Sequence, residues 1–151
     1  MSRSARVLIV EDDIGTQQFF WAMAVRGRFS PVVVGDGRKA IIELSRSDFD
    51  VVLLDLLLPE VNGFEVLRHL SCVMPQLLER VIVVTACTEE MYQDSPYIKS
   101  VFCVLPKPVD VEVLDELMLE CYAERLRSAG RMPARRVERP VLLPEQRQNA
   151  S

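Results

Sequence analysis

Five short runs of apolar residues, many of them β-branched, constrain the fold of this chain more than any other feature. They are Val7–Val10, Val32–Val34, Val51–Leu54, Val81–Val84 and Val101–Leu105. The apolar residues are nearly continuous rather than alternating, which is typical of strands buried on both faces of a parallel sheet. Segments with helical spacing separate the runs. The sequence therefore predicts a doubly wound α/β fold, with helices on both faces of a five-stranded parallel sheet.

The helical segments carry apolar faces that predict how each helix packs. The last helix has an apolar stripe, and Asp36 is placed to cap the second helix. The third helix is predicted over Gly63–Leu70, and Pro96 limits the fourth to a short helix over Glu89–Asp94. In the first helix, the face that we predict to pack on the core consists of Ile14, Gln18, Trp21, Ala22 and Val25, and Phe19, Phe20 and Met23 lie away from it. The apolar stripe of the last helix consists of Leu114, Leu117, Met118 and Cys121.

Charge divides the chain into two parts. Residues 1–122 carry 11 basic and 19 acidic side chains, whereas residues 123–151 carry 7 basic and 3 acidic ones together with Pro133, Pro140 and Pro144. We therefore predict a domain over residues 1–128 and a basic, proline-containing flexible tail over residues 129–151. The acidic charge of the domain argues against direct binding of nucleic acid, whereas the arginines of the tail could contact nucleic acid or an acidic partner, or simply keep the chain in solution.

Compartment and cysteine chemistry follow from what the sequence lacks. The first apolar run holds four residues, too few for a signal-peptide core, and no run is long enough to cross a membrane. We expect a cytoplasmic protein without a membrane partner. The four cysteines form no CxxC pair, so we expect small core residues or unreactive thiols rather than a zinc site.

Polar side chains follow four of the five predicted strands, where ligands bind in folds of this kind. Carboxylates, a hydroxyl and an ammonium group therefore converge on one edge of the sheet. Oxygen ligands without histidine or cysteine suit a hard cation such as Mg²⁺, and a lysine beside them suits an anionic tetrahedral group. These residues predict a magnesium-assisted phosphoryl site: Glu11-Asp12-Asp13, Asp55, Thr85-Ala86 and Lys107-Pro108.

These segments resemble the receiver domain of two-component response regulators, the CheY-like superfamily, over residues of about 5 to 122. The spacings also fit this family, with 30 residues from Asp55 to Thr85 and 22 from Thr85 to Lys107. The resemblance implies a flavodoxin-like (βα)5 fold with strand order 2-1-3-4-5, an order for which a chemotaxis receiver is a known example. It also implies a protein of signal transduction rather than a true enzyme, one that catalyses only its own phosphorylation and dephosphorylation.

The resemblance further implies a role for each residue of the site. Asp55 would be the phosphoacceptor, and Lys107 and Thr85 would bind phosphoryl oxygens. Mg²⁺ would be held by the carboxylates of Asp12, Asp13 and Asp55 and by the backbone carbonyl of Leu57. The partners would be a sensor histidine kinase or phosphotransfer protein and a downstream protein target, with homodimerisation possible. The Lys107–Pro108 peptide bond would be cis.

Three features depart from the pattern of the family. Val104 occupies the place of an aromatic residue that reports phosphorylation, and Phe102 is predicted by strand alternation to point to the same face of the sheet. Leu57 and Cys87 flank the path of the hydrolytic water and cannot position it, which predicts slow self-dephosphorylation. Phe19, Phe20 and Met23, off the predicted core face, are expected to contact a kinase, a second subunit or the tail segment Val141–Leu143, or to be ordinary surface residues.

Other functions remain open from the sequence. The chain could be the receiver fragment of a longer DNA-binding transcriptional regulator, with the basic tail as a linker. A Mg²⁺-dependent phosphatase would generally need a second acid two residues after its nucleophile, where Leu57 stands. A nucleotide-binding protein would need a glycine-rich phosphate loop after the first strand, and the sequence has none there.

Overall fold

A computed structural model describes residues 3–131 of the chain. The strands are β1 (Arg6–Val10), β2 (Ser30–Val34), β3 (Val51–Leu54), β4 (Val81–Thr85) and β5 (Cys103–Pro106). The α-helices are α1 (Ile14–Arg26), α2 (Gly37–Arg46), α3 (Gly63–Val73), α4 (Glu89–Tyr92) and α5 (Val111–Ser128). Two 3₁₀ helices, Pro75–Arg80 and Ile98–Ser100, precede β4 and β5. Most of the predicted tail, residues 132–151, and the segment Val141–Leu143 within it, lie outside the described residues.

The five strands form one parallel sheet in the order β2-β1-β3-β4-β5. This confirms the predicted doubly wound, flavodoxin-like fold. Because every strand runs the same way, the residues that follow the strands meet at one edge of the sheet, called here the carboxyl edge. The residues that precede the strands meet at the opposite, amino edge.

Two apolar layers sandwich the sheet. One layer packs α2, α3 and α4 through residues such as Leu44, Leu67 and Tyr92. The other packs α1 and α5, and all four residues predicted as the α5 stripe are buried there. Cys87, Cys103 and Cys121 are buried, and burial raises the pKa of the Cys103 thiol to about 12. A thiol with so high a pKa is almost wholly protonated at neutral pH, which makes it a poor nucleophile.

Helix α1 buries the face opposite to the one we predicted. Phe20, Met23 and Ala24 pack into the core, whereas Ile14 and Trp21 of the predicted core face are 69% and 50% exposed. The prediction was wrong because both faces of α1 carry apolar residues, so periodicity alone could not choose between them. The orientation is set instead by the ring of Phe20 and the side chain of Met23, which fill the layer shared with α5.

Phe102 also packs where strand alternation did not place it. Its side chain is buried among residues of the α1 and α5 layer, whereas Val104 packs in the layer of α2 and α3. Alternation fails because β5 begins at Cys103, two residues later than predicted, so Phe102 precedes the regular strand. Phe102 therefore does not stand in for an aromatic residue at position 104.

The remaining differences concern the ends of elements. Helix α3 runs to Val73, three residues beyond the prediction, and stops before Pro75. Helix α4 is short, as predicted, and ends at Tyr92. Asp36 caps α2 as predicted, since its carboxylate accepts a hydrogen bond from the backbone N–H of Lys39. None of the helices within residues 3–131 is long and apolar enough to cross a membrane.

Candidate functional site at the carboxyl edge

Asp55 lies at the centre of the carboxyl edge, directly after β3. It is only 5% exposed, and both of its carboxylate oxygens accept hydrogen bonds. Oδ1 accepts from the Thr85 hydroxyl and from the backbone N–H of Leu57, each at 3.0 Å. Oδ2 accepts from the Lys107 ammonium at 2.9 Å. Three donors at the carboxyl ends of three strands, β3, β4 and β5, therefore fix the plane of this carboxylate.

Lys107 joins Asp55 to a second buried carboxylate, that of Glu11. Its Nζ lies 2.6 Å from Glu11 Oε2 and 2.9 Å from Asp55 Oδ2. Burial raises the pKa of Glu11 above its usual value, although the hydrogen bond from Lys107 opposes the shift. Burial alone would lower the pKa of Lys107, but its bonds to Glu11 and Asp55 outweigh burial and raise it. One ammonium group thus serves two buried carboxylates.

The carboxylates of Glu11, Asp12 and Asp55 form a compact acidic cluster. One oxygen from each lies within 4.8 Å of the others. Glu11 and Asp55 are buried, whereas Asp12 is exposed. Lys107 supplies one positive charge to these three carboxylates, so negative charge remains in excess. A hard cation with oxygen ligands is the chemical group that such a donor set accommodates.

The loop between β3 and α3 is held by two glycines that cannot carry a side chain. Gly63 donates a backbone hydrogen bond to Leu56 at 2.9 Å, and Gly37, at the start of α2, donates one to Val61 at 3.1 Å. A Cβ on Gly63 would lie 2.4 Å from the Asp55 carbonyl oxygen, and one on Gly37 would lie 2.0 Å from the Val61 carbonyl oxygen. These close approaches hold the segment that carries Leu57 against Asp55.

Thr85 connects Asp55 to the loop that leads into α4. Its hydroxyl donates to Asp55 and accepts the backbone N–H of Cys87 at 3.2 Å. Thr85 is 1% exposed and Cys87 4% exposed, so water does not compete for either bond. Only four residues of helix follow this loop. A change in the partner of the Thr85 hydroxyl would therefore reach the backbone before α4 directly.

A surface recess of about 480 Å³ opens beside Lys107. It lies between the first turns of α1 and the segment after β5, and the Lys107–Pro108 bond there is cis, as the resemblance implied. Phe19, 39% exposed, contributes an aromatic wall at the side of α1. Lys107, at the side of this recess, also contacts Asp55. The recess is lined by Asp13, Gly15, Thr16, Phe19, Phe20, Lys107, Pro108 and Val109.

Comparison with known proteins identifies the family. The sequence profile described as "Response regulator receiver domain" matches residues 7–119 of this chain. The chain belongs to that family. This receiver is 31% identical, over 138 residues, to the transcriptional activator protein PfeR of Pseudomonas aeruginosa. The match covers 89% of this chain and 44% of PfeR, so the chain spans less than half the length of that relative.

Solved structures share the receiver fold. A receiver domain protein from Methanospirillum hungatei superposes with a TM-score of 0.75 at 20% identity, over 83% of this chain and 99% of that one. The receiver domain of the sensor histidine kinase PA1611 from Pseudomonas aeruginosa has a TM-score of 0.71 at 21% identity, over 80% of this chain and 99% of that one. The latter structure holds a magnesium ion coordinated in its active-site cleft.

The receiver structure brings together most, but not all, of the residues predicted for the site. Asp12, Asp55, Thr85 and Lys107 lie at the carboxyl edge as expected. Asp13 does not join the acidic cluster. Its carboxylate caps α1 by accepting from the backbone N–H of Thr16 at 2.8 Å and from the Thr16 hydroxyl at 2.7 Å, and these bonds lower the pKa of Asp13.

Glu11 takes the position in the cluster that we had predicted for Asp13. Its place could have been found from the sequence, because it follows the last buried residue of β1 directly and so starts at the carboxyl edge. Asp13, in contrast, lies three residues before Thr16 and one before the helical pattern begins, which is the position of an N-cap. The three consecutive acids therefore divide into two that face the site and one that begins a helix.

Proposed function

We propose that this receiver accepts a phosphoryl group on Asp55 and thereby changes its affinity for partner proteins. The observation that carries the proposal is the environment of Asp55. Its carboxylate is almost fully buried yet remains paired with the Lys107 ammonium and the Thr85 hydroxyl, at the centre of an acidic cluster. Placing one carboxylate beside two others costs electrostatic free energy, and a role in phosphoryl transfer accounts for that cost.

The proposed reaction is transfer from a phosphohistidine of a kinase or phosphotransfer protein. An oxygen of Asp55 forms a bond to phosphorus while the bond from phosphorus to the imidazole nitrogen breaks, and that nitrogen keeps the electron pair. The Lys107 ammonium pairs with one phosphoryl oxygen, and the Thr85 hydroxyl donates to another. Both groups already contact Asp55, so little reorganisation is needed when charge moves onto the phosphoryl oxygens.

We infer that Mg²⁺ is the cofactor of this reaction. Glu11, Asp12, Asp55 and the backbone carbonyl of Leu57 are the groups that would hold it, and the oxygen-only donor set fits that ion. Bound there, the ion would offset the negative charge of the phosphoryl group and of the cluster. Asp13 is also a ligand predicted from the sequence, but its hydrogen bonds to Thr16 favour a role as the N-cap of α1.

The proposed switch begins at Thr85. When the Thr85 hydroxyl donates to a phosphoryl oxygen instead of to Asp55, its oxygen shifts. The backbone N–H of Cys87 donates to that oxygen, so the loop before α4 moves with it. Val104 has no aromatic ring, and the ring of Phe102 packs in the layer of α1 and α5. Neither residue therefore supplies an aromatic ring that would move with Thr85. The surface of the loop and of α4 is therefore the part of the protein that a downstream target or a second copy would sense.

We infer that the kinase approaches through the recess beside Lys107. The recess is lined by both Phe19 and Lys107, and Lys107 contacts Asp55, so a partner seated there could present its phosphohistidine to the carboxylate. Phe20 also lines the recess, but it is only 2% exposed and Met23 only 5% exposed, so these two side chains offer a partner little surface. Of Phe19, Phe20 and Met23, only Phe19 is exposed enough to contact a partner.

The test is phosphorylation by acetyl phosphate in the presence of Mg²⁺. We expect the intact protein to gain the mass of one phosphoryl group and Asp55→Asn to gain none. Asp48→Asn, at the amino edge, is the matched control and is expected to react at the rate of the unaltered protein. Phosphorylation that persists in Asp55→Asn, or a protein that never reacts, would contradict the proposal.

The phosphorylated state is expected to be long-lived. The side chain of Leu57 has no hydrogen-bonding group, and the buried thiol of Cys87 is only a weak one, so neither can position a water for attack on phosphorus. Leu57→Asn should accelerate phosphate loss severalfold, below the roughly hundredfold that a full general base contributes. Phosphate release is measured over time after acetyl phosphate is removed, with the exposed Glu60→Gln as control. Loss within seconds from the unaltered protein would disprove the expectation.

The relatives favour a second proposal for the whole protein. PfeR is a transcriptional activator, and this chain matches 44% of it. A receiver of this kind would serve such a regulator as its input domain, which was the alternative from the sequence. A magnesium-dependent phosphatase has less support, because an exposed leucine, Leu57, stands two residues after Asp55 where a second acid would be needed.

A further inference from the structure

Helix α1 carries a row of exposed side chains on a side that contacts neither the core nor α5. The side toward α5 holds Arg26, which pairs with Asp115 of α5, and Phe19, which lines the recess. Helical periodicity places the row on a different side, where no other element within residues 3–131 covers it. We call it the outer row, and its members are Ile14, Gln18, Trp21 and Val25, all of which are exposed.

The spacing of the outer row is that of a helix that packs against another helix. Its members follow one another at intervals of four, three and four residues, as do the residues along the contact between two supercoiled helices. Ile14, Trp21 and Val25 are 69%, 50% and 45% exposed, so a second helix laid along the row would remove much apolar surface from water. Ala22, exposed beside Trp21, is small enough to let that helix come close.

The outer row is complementary to itself when two copies of α1 lie antiparallel. If the two-fold axis passes between positions 19 and 20, Ile14 of one copy faces Val25 of the other, and Gln18 faces Trp21. The members of each pair are equally far from the axis, so both pairs form twice. The two Trp21 residues then lie about 4.5 Å apart along the helices. Such a contact closes on itself and yields a dimer rather than a filament.

Charge favours the antiparallel arrangement over the parallel one. Residues 14–25 carry no ionisable side chain, so two outer rows meet without repulsion between like charges. Arg28, just beyond the end of α1, is exposed, and none of the ion pairs among residues 3–131 includes it. In an antiparallel pair it lies at the level of Asp12 and Asp13 of the other copy, both of which are exposed. In a parallel pair the two Arg28 side chains would lie side by side, and so would the acids.

We propose that two copies of this chain associate through their outer rows, with the two α1 helices antiparallel. Arg28 of each copy lies beside the two acids that precede α1 in the other, and Trp21 packs next to the two-fold axis. The outer row shares no residue with the recess beside Lys107 or with the loop before α4. The association therefore requires no phosphorylation of Asp55, and it stands even if the function proposed for Asp55 fails its test.

The first test is the mass of the full chain, measured by light scattering over a range of concentrations without acetyl phosphate. We expect a mass of two chains that falls to that of one on dilution. Trp21→Ser should weaken the association about tenfold or more, because it removes the large side chains nearest the axis. The matched control is Val73→Ser, which alters a similarly exposed apolar residue of α3 and should change nothing. A single-chain mass at every concentration, equal weakening in both variants, or a dimer that needs acetyl phosphate would overturn the proposal.

Disulfide formation tests the orientation of the two helices. Ile14→Cys and Val25→Cys are made in separate chains, each together with Cys72→Ser because Cys72 is exposed. When the two variants are mixed and oxidised, the disulfide between unlike chains should predominate, because only facing positions bring two Cα atoms within reach of such a bond. Disulfides mainly between like chains, which a parallel pair would give, or no disulfide at all would overturn the proposal.

Arg28→Glu tests the charge pairing between the two copies. At low salt it should weaken the association about tenfold, because it sets a further carboxylate beside Asp12 and Asp13. The control is Arg38→Glu, at an exposed arginine of α2, which should leave the association unchanged; equal effects would contradict the antiparallel pairing. Trp21 is the only tryptophan, so its quenching by acrylamide should rise as the dimer dissociates. Low quenching in a single-chain species would show that the same chain covers the outer row and would overturn the proposal.

Discussion

The two edges of the sheet both carry acidic residues, but they balance those charges in different ways. At the carboxyl edge, the acidic cluster of Glu11, Asp12 and Asp55 is paired with a single ammonium, that of Lys107. At the amino edge, Asp48 accepts from Arg80 at 2.9 Å and from Arg125 at 3.1 Å, and Asp50 accepts the backbone N–H of Arg6 at 2.8 Å. One edge keeps an excess of negative charge, and the other neutralises it with the protein's own arginines.

The pKa shifts at the two edges have opposite signs for this reason. Burial raises the pKa of Glu11, and Lys107 compensates only in part. Burial also acts to raise the pKa of Asp48, but the hydrogen bonds and charges of Arg80 and Arg125 outweigh it and lower that pKa. A pair of acidic residues at an edge of the sheet is therefore not by itself a cation site. What marks the carboxyl edge is carboxylates without enough cationic partners.

The largest expected effect is stabilisation by Mg²⁺. At a free concentration one hundred times its dissociation constant, the ion should raise the free energy of unfolding by about 2.7 kcal/mol. Asp12→Asn should lose most of that gain, because it removes a carboxylate from the cluster. Asp48→Asn should retain it. Urea unfolding with Mg²⁺ and with a chelator measures both, and an equal gain in the two variants would remove the distinction between the edges.

The next effect tests the arginines of the amino edge. Arg125→Ala should lower the free energy of unfolding by about 1–2 kcal/mol, because it leaves Asp48 and Asp50 with fewer partners. The rate of phosphorylation by acetyl phosphate should not change. The control is Arg46→Ala, whose side chain is 70% exposed and pairs only with Glu43 at 4.0 Å among the ion pairs of the described residues. Comparable losses in the two variants would show that the amino-edge pairs contribute nothing specific.

The smallest expected effect concerns pH. Since the pKa of Asp48 is lowered on folding, its contribution is present above the unfolded pKa and is lost as pH falls through the folded pKa. The pKa of Glu11 is raised, so its contribution is lost as pH rises through the folded value. In urea unfolding without Mg²⁺ from pH 7 down to about 3, Asp48→Asn should flatten the acid decline by less than about 1 kcal/mol. Glu11→Gln should steepen it; equal slopes would refute the contrast.

The sequence sufficed for the sheet and for most of the site because both depend on strands. Each run of buried β-branched residues fixes a strand, and parallel strands necessarily bring Asp55, Thr85 and Lys107 to one edge. The face of α1 could not be chosen, since either face could have filled the core. Phe102 was misplaced because alternation was extended past the start of β5. Asp13 was assigned by its neighbours, whereas its hydrogen bonds to Thr16 decide its orientation.

The contact between Gly37 and Val61 limits how far this sequence can vary. A methyl group at position 37 would collide with the backbone of the β3–α3 loop, whereas one at Gly35, two residues earlier, would meet nothing nearer than the Gln17 side chain at 3.7 Å. Two glycines of one short turn thus have unequal mutational tolerance. For protein engineering, the start of α2 and the loop bearing Leu57 are best transferred to another scaffold as a single unit.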